Sequence, residues 1–199
     1  MNVYDFDKTI YDGDSTLDFY LFCLIRNIKI SLSMPVQLLW ALFYLMKIKT
    51  KTQYKEKFFS FLYYIDDIDS MVKEFWNKKI RRIKQWYLKQ KMEGDIWISA
   101  SPEFLLQPAA EILRVKKIIA SKVNPKTGSF NSLNCYGKEK VSRFLEQFPE
   151  AVVDSVYSDS FSDYPLFTLG KNAFIVKGDK IRRLRLESIS DRNVLRATP

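Results

Sequence analysis

Two carboxylates stand two positions apart at the start of this chain, in Asp5-Phe6-Asp7-Lys8-Thr9, behind the short β-favouring lead-in Asn2-Val3-Tyr4. If residues 3–6 form a strand, Asp5 lies at its carboxyl end and Asp7 just past it. Open α/β sheets bind their ligands at that edge. Carboxylates so close repel each other, and both ionise readily only beside a cation. A hard divalent ion such as Mg²⁺, held by a few oxygens and several waters, meets that need. Taken alone the string is a weak signal, because most such strings are solvated turns.

Three further groups can carry chemistry. Ser99-Ala100-Ser101-Pro102 closes a short apolar run. Pro102 suits a first helical position, which makes Ser101 the expected cap. Ser99 has no such duty, and its hydroxyl beside the free amides of a helix start would make an anion-binding corner. Lys140, in Gly137-Lys138-Glu139-Lys140, falls in the first turn of an expected helix, where the dipole mildly disfavours a cation; its plain reading is an exposed lysine. Asp159-Ser160-Phe161-Ser162-Asp163 sets two carboxylates four apart directly after an expected strand, or else is a solvated acidic turn. If three parallel strands converge, Asp5, Asp7 and Asp159 gather around one cation. Ser99 and Lys140 then face the same point from the other side. A metal cradle opposite an anion cradle is what phosphoryl transfer requires.

Composition removes other chemistries. There is no histidine, which excludes Ser-His-Asp triads, Cys-His pairs and every histidine-bearing metal site. The two cysteines, Cys23 and Cys135, have no metal-like spacing and form no disulfide framework. Four residues ahead of Asp5 leave no room for a signal peptide, so a reducing cytoplasm is the expected location. With 199 residues, 47% hydrophobic, the chain can bury one sizeable core and a small second lobe. A net charge of +9 suits anionic partners, or is simply a basic solvated exterior.

The positioning elements follow from periodicity. After the first strand, residues 14–92 read as helical. The segment 16–28 is strongly apolar, Ser33-Met34-Pro35 looks like a helix start, and 36–46 is apolar nearly all round. A third helical segment covers 53–64. In the fourth, Val72, Trp76, Ile80, Ile83 and Tyr87 line one face of a long helix that begins behind Asp66, Asp67 and Asp69. Four helices without strands suggest a bundle. From Gly94 the pattern alternates. Strands are expected at 95–99, 116–120, 152–157, 173–176 and 180–186, helices at 102–113 and 138–148, and a hairpin around Asn124-Pro125-Lys126-Thr127-Gly128. The last dozen residues are expected to fray. The fold class is α/β: a doubly wound, Rossmann-like, mostly parallel sheet over residues 1–13 and 93–199, with a helical-bundle cap at 14–92 inserted between its first two strands.

The ordered set Asp5-Phe6-Asp7-Lys8-Thr9, Ser99, Lys140 and Asp159-x-x-x-Asp163 resembles the haloacid dehalogenase superfamily, on its phosphoserine phosphatase-like branch. The stretch Asn134-Cys135-Tyr136-Gly137-Lys138-Glu139-Lys140-Val141 resembles that branch around its lysine, which favours Lys140 over Lys138. The resemblance implies a two-step phosphatase. Asp5 would be the nucleophile and Asp7 the acid and then the base; Thr9 would support the loop and the phosphate site. Ser99 and Lys140 would hold phosphoryl oxygens, and Mg²⁺ would be held by Asp5, the Asp7 carbonyl, Asp159 and Asp163. Relatives that are dehalogenases or phosphonatases lack an acid at the place of Asp7. Four positions depart from the branch. Asp14 stands where a substrate-reading glutamate is usual and is a candidate specificity residue. Ala100-Ser101 replaces a pair of glycines, and Ser158 replaces a common glycine. These departures bear on phosphoserine as the substrate, not on the phosphoryl site.

The expected function is therefore Mg²⁺-dependent hydrolysis of a small phosphorylated substrate. Two alternatives remain open. The run 30–46 carries no charge. It is a little short for a span, and a buried bundle helix or a dimer face is the expectation. Docking of this run on a membrane, which would suit a lipid phosphate, is the alternative. Residues 78–91 hold seven basic side chains and no acid, which would suit a nucleic-acid-binding module, but they interleave with an apolar stripe and match no nucleic-acid motif. A phosphotransferase on the same core is a third reading.

Overall fold

A computed structural model describes residues 1–185 of the chain. One six-stranded sheet runs in the order β3-β2-β1-β4-β5-β6, with β1 Asn2–Tyr4, β2 Ile96–Pro102, β3 Lys117–Ser121, β4 Val153–Ser158, β5 Gly170–Lys177 and β6 Lys180–Leu184. All neighbours are parallel except β5 and β6, which pair antiparallel across the Gly178 turn. The first strand is thus central, and the connections leave it in both directions. That makes a switch point at its carboxyl end, beside β4. The expected fraying of the last dozen residues lies outside the described residues.

The two faces of the sheet have different chemistry. On one, the registered residues Trp97, Tyr4, Tyr157 and Phe174 form an aromatic row across β2, β1, β4 and β5, and Tyr4 and Phe174 each stack on Tyr157 at 4.8 Å between ring centroids. Cross-strand aromatic pairs of this kind fix register. On the other face the aliphatic Val3, Ile96, Val156 and Ala173 pack with Phe144 of α7 (Lys138–Gln147) and Phe167 of α8 (Tyr164–Phe167).

The long helical stretch between β1 and β2 divides in two by its packing. Its second part lies on the aromatic face. From α4 (Ile68–Lys79) the fully buried Trp76 meets Phe6 and Tyr11 edge-on and donates its indole N–H to the Leu105 carbonyl of α6 (Glu103–Leu113) at 2.6 Å. From α5 (Gln85–Gln90) Tyr87 packs edge-on against Tyr4. The expected single long helix is broken here, although Val72, Trp76, Ile83 and Tyr87 are buried as its stripe requires. The chain opens at Ile83 and Lys84 because those residues pair with the loop behind β1. Ile83 bridges Tyr11, Lys84 N–H bonds the Ile10 carbonyl at 2.8 Å, and Asp12 N–H bonds the Arg82 carbonyl at 2.8 Å.

The first part of the stretch holds α1 (Ser15–Arg26), a 3₁₀ segment at Ile28–Ser33, α2 (Met34–Leu45) and α3 (Lys51–Phe58). Asp14 caps α1 by accepting the Leu17 N–H, and Thr50 with Gln53 makes a reciprocal capping box at α3. Of the two expectations for the uncharged run, a buried bundle helix fails over α2: only Gln37 of α2 is shielded from solvent, and its leucines are exposed. The neighbouring helices are too few and too short to enclose α2, so it packs through one narrow face.

Trp76 ties the insertion to α6 and to the loop behind β1. Trp76→Ala is expected to destabilise the fold by about 3–5 kcal/mol, as for other large-to-small changes at fully buried aromatics. Urea unfolding followed by circular dichroism measures it.

Candidate active site

The carboxyl ends of β1, β2 and β4 and the start of α7 open on one cavity of about 450 Å³, lined among others by Asp5, Asp7, Asp14, Ser99, Lys140, Asp159 and Asp163. Residues separated by up to 158 positions are thereby brought together. Asp5 follows β1 directly, and its N–H still bonds the Tyr157 carbonyl of β4 at 2.9 Å. Lys140 reaches in from the first turn of α7. Gly137, at φ +58° and ψ −124°, makes the turn into that helix, a conformation glycine adopts without penalty.

At the centre the Lys140 ammonium, 2% exposed, donates to Asp5 Oδ1 and to Asp163 Oδ2, each at 2.7 Å. Burial works against the lysine's charge, but Asp5 and Asp163 more than offset it and raise its pKa. Burial raises the Asp5 pKa to about 7; Lys140 opposes the rise, while Asp163 and Asp159 add to it. Thr9, fully buried, donates its hydroxyl to Asp5 Oδ2 at 3.1 Å. That bond fixes the rotamer of Asp5, and Thr9 lies outside the residues lining the cavity. Asp163 Oδ2 also accepts the Ser158 hydroxyl at 2.7 Å.

Asp7 sits on the cavity's other side. Its Oδ1 accepts the Ser15 N–H at 2.6 Å at the start of α1, and its Oδ2 accepts the Ser101 hydroxyl. Burial and then the Asp14 charge raise its pKa, the bonds from Ser101 and Ser15 lower it, and the balance is about 6. Ser101 is therefore not the helix cap expected from Pro102. The strand runs on to Pro102, α6 begins at Glu103, and the hydroxyl is turned to a carboxylate instead. The register of β2 against β3 shifts between Ile98 and Pro102, so the strand departs from a regular ladder where Ser99 and Ser101 lie. Ser99 is 1% exposed, accepts the Ser101 N–H at 3.1 Å, and keeps its own hydroxyl proton uncommitted among the described residues.

Asp159 also lines the cavity, and its carboxylate accepts no hydrogen bond among the described residues. Burial raises its pKa, opposed by Lys177 and Lys8. As the side chains stand, no group of three acids among the described residues encloses a metal site. Asp5, Asp159 and a backbone carbonyl are still a sufficient protein donor set for Mg²⁺, which commonly takes one or two carboxylates and several waters.

Several contributors carry no sequence signal of their own. Lys84, 6% exposed, donates its ammonium to the carbonyls of Lys8 at 2.8 Å and Gly178 at 2.6 Å, stapling the loop after Asp7 to the β5–β6 turn. It belongs to the basic run 78–91, where Arg82 pairs with Asp18, Lys78 with Glu74, and Lys91 bonds the Leu113 carbonyl. Lys55 of α3 crosses the cavity and donates to the Ala100 carbonyl at 2.8 Å. Burial, then the Lys51 charge, lower its pKa to about 8. Only the position of α3 over the cleft distinguishes Lys55 from other lysines.

Residues 3–168 match the family model described as haloacid dehalogenase-like hydrolase. No curated protein matches the chain. Among solved structures it is similar to a protein of unknown function from Bordetella pertussis Tohama I, at 18% identity and a TM-score of 0.69 over 87% of each chain. It is also similar to a phosphoserine phosphohydrolase-like protein from Francisella tularensis subsp. tularensis SCHU S4, at 18% identity and a TM-score of 0.54, over 87% of this chain and 86% of that one. A third likeness is to a HAD family hydrolase from Salmonella enterica subsp. enterica serovar Typhi, at 13% identity and a TM-score of 0.52, over 84% of this chain and 59% of that one. At these identities the likenesses show a shared fold.

The cavity environment gives Lys55 a distinct titration. After reductive methylation with ¹³C-formaldehyde, one methyl-lysine resonance is expected to titrate near pH 8, the value to which burial lowers Lys55. Ordinary lysines titrate above about 10. Lys55→Gln should remove that resonance alone.

Proposed function

The chain belongs to the haloacid dehalogenase-like hydrolase family, and on that premise we propose that it is a Mg²⁺-dependent phosphatase acting on a phosphate monoester through an aspartyl phosphate at Asp5. The observation that carries this reading is the Lys140 ammonium held between Asp5 and Asp163 on the cavity that Ser99 and Asp7 also line.

Asp5 attacks phosphorus, the ester P–O bond breaks, and an acyl phosphate forms on the carboxylate. Asp7 gives its proton to the leaving oxygen. It then takes a proton from the water that cleaves the acyl phosphate, releasing inorganic phosphate and free Asp5. A pKa of about 6 suits a group that must hold and return a proton near neutral pH. The third N–H of Lys140 and the free hydroxyl proton of Ser99 hold the phosphoryl oxygens. Asp163 positions Lys140 and Thr9 orients Asp5.

The cavity is lined by five acids and four lysines, an excess of one negative charge, and the phosphate ester is itself anionic. A divalent cation at Asp5, the Asp7 carbonyl and Asp159 would neutralise that charge and polarise the phosphoryl group. The second carboxylate of the opening motif supports ester hydrolysis over dehalogenation, since an acid is needed for an alkoxide leaving group. Asp14 spends one oxygen on the α1 cap while lining the cavity, so its substrate contact is through the remaining oxygen.

Asp5→Asn is expected to lower hydrolysis of p-nitrophenyl phosphate by at least about a thousandfold, with circular dichroism unchanged. Chelation should abolish wild-type turnover and added Mg²⁺ restore it. If added alcohols yield phosphorylated alcohol in place of inorganic phosphate, the activity is transfer.

A further inference from the structure

Helix α2 is inside-out. In a soluble protein the polar residues of a surface helix face water and the apolar ones face the core. Here the one buried residue of α2 is Gln37, which accepts the Tyr20 hydroxyl at 2.9 Å and donates to the Phe58 carbonyl at 2.8 Å. Its leucines point outward instead. Across Ile28–Leu45 the mean hydropathy is 1.4, yet 17% of the window is buried. Ile28 and Leu45, at its two ends, are 76% and 75% exposed. A contiguous apolar surface of this kind marks an interaction site.

The surroundings of the face indicate the partner. From Arg26 to Lys55 there is no acidic residue, while Lys29, Lys47 and Lys49 flank the run. The ammonium groups of Lys49 and Lys57 both stand over the Trp40 ring, at 5.2 and 5.5 Å from its centroid. Apolar residues bordered by lysine and tryptophan are suited to the boundary between lipid headgroups and acyl chains. A second copy of this chain fits less well, because a twofold contact would bring two lysine rims together. A span fits less well too. Within Ile28–Leu45 the side chains of Ile30 and Ser33 are buried in the fold, and the Gln37 bonds tie α2 to it.

The face continues to the cleft. Leu17, Leu21 and Ile25 are exposed at helical spacing along α1, and Leu17 lines the cavity. On the inner side of α2, Tyr44 stacks at 5.5 Å on Tyr54, which also lines the cavity. We infer that the outer face of α2, with the Leu17–Leu21–Ile25 stripe of α1, docks in the plane of an anionic lipid bilayer and brings the mouth of the cleft to its surface. This stands apart from the phosphatase reading, because binding is measured without turnover.

The test is flotation of the full chain with vesicles of phosphatidylcholine alone or with about one third phosphatidylglycerol. The chain should float with the anionic vesicles, less with neutral ones, and be released by salt, which screens the lysine rim. Leu38→Glu with Leu45→Glu, both at exposed positions outside the catalytic machinery, should weaken vesicle binding at least about tenfold. Thermal melting and hydrolysis of a soluble phosphate ester should not change. Failure of the wild type to float with either vesicle overturns the inference. So does a dimer that the same double substitution dissociates without any vesicle binding, which assigns the face to a second copy. Retention after alkaline carbonate washing also overturns it, in favour of a span.

Discussion

A buried ammonium between two buried carboxylates constrains the rest of the molecule. Lys140, Asp5 and Asp163 are 2%, 7% and 2% exposed, and each loses most of its hydration on folding. Such a group is tolerable only when every member has its partners, and taking one partner from a buried pair commonly costs about 3–5 kcal/mol. Three separate elements must therefore meet with little tolerance. The parallel register of β1 against β4 sets Asp5 beside the Ser158–Asp163 turn, and the start of α7 brings the lysine between them. The aromatic row on the sheet's other face then has a clear role. Stacking Tyr4 on Tyr157 and Tyr157 on Phe174 holds that register against a slip that would separate the charges.

The same reasoning explains the hydroxyls where the family resemblance leads one to expect glycine. Ser158 donates to Asp163, and Ser101 donates to Asp7. Each satisfies a lone pair on a buried carboxylate that a glycine would leave to water or backbone. These substitutions add support around the acids while leaving Ser99 and Lys140 to face the cavity. Ser158 and Ser101 thus give the buried acids side-chain support within the site itself.

Much of the core was legible because local signals coincide there: short β-branched or aromatic runs, followed by chemistry-bearing residues and a helix start. That is why the succession of strands along the chain and the meeting of Asp5, Asp7, Ser99, Lys140 and Asp159 on one cavity could be read from the sequence. What was illegible depends on partners distant in sequence. Ser101 reads as a cap beside Pro102, and only the approach of Asp7, 94 positions away, assigns its hydroxyl elsewhere. Lys84 reads as one of seven bases in a run, and only its burial against Lys8 and Gly178 separates it from them. The break at Ile83 is similar. Periodicity gave the buried face of α4 and α5 but not the backbone pairing with Tyr11 that interrupts the helix. Helix α2 shows a stricter limit, since composition reveals an apolar helix but not whether a neighbour covers it.

Charge distribution connects these parts. The chain as a whole carries +9, yet the cavity has five acids to four lysines. All five acids come from the sheet's carboxyl edge or the loops leading from it. Two of the lysines, Lys51 and Lys55, come from α3 of the insertion. Under the phosphatase reading, acids concentrated to hold a cation would repel an anionic substrate at long range. Lysines carried by a separate element offset that repulsion without entering the carboxylate cluster. Lys55 is tied to the Ala100 carbonyl, while the bonds of Lys140 are confined to the core. In this architecture the sheet edge supplies the acids and Lys140, and α3 of the insertion supplies two further lysines above them.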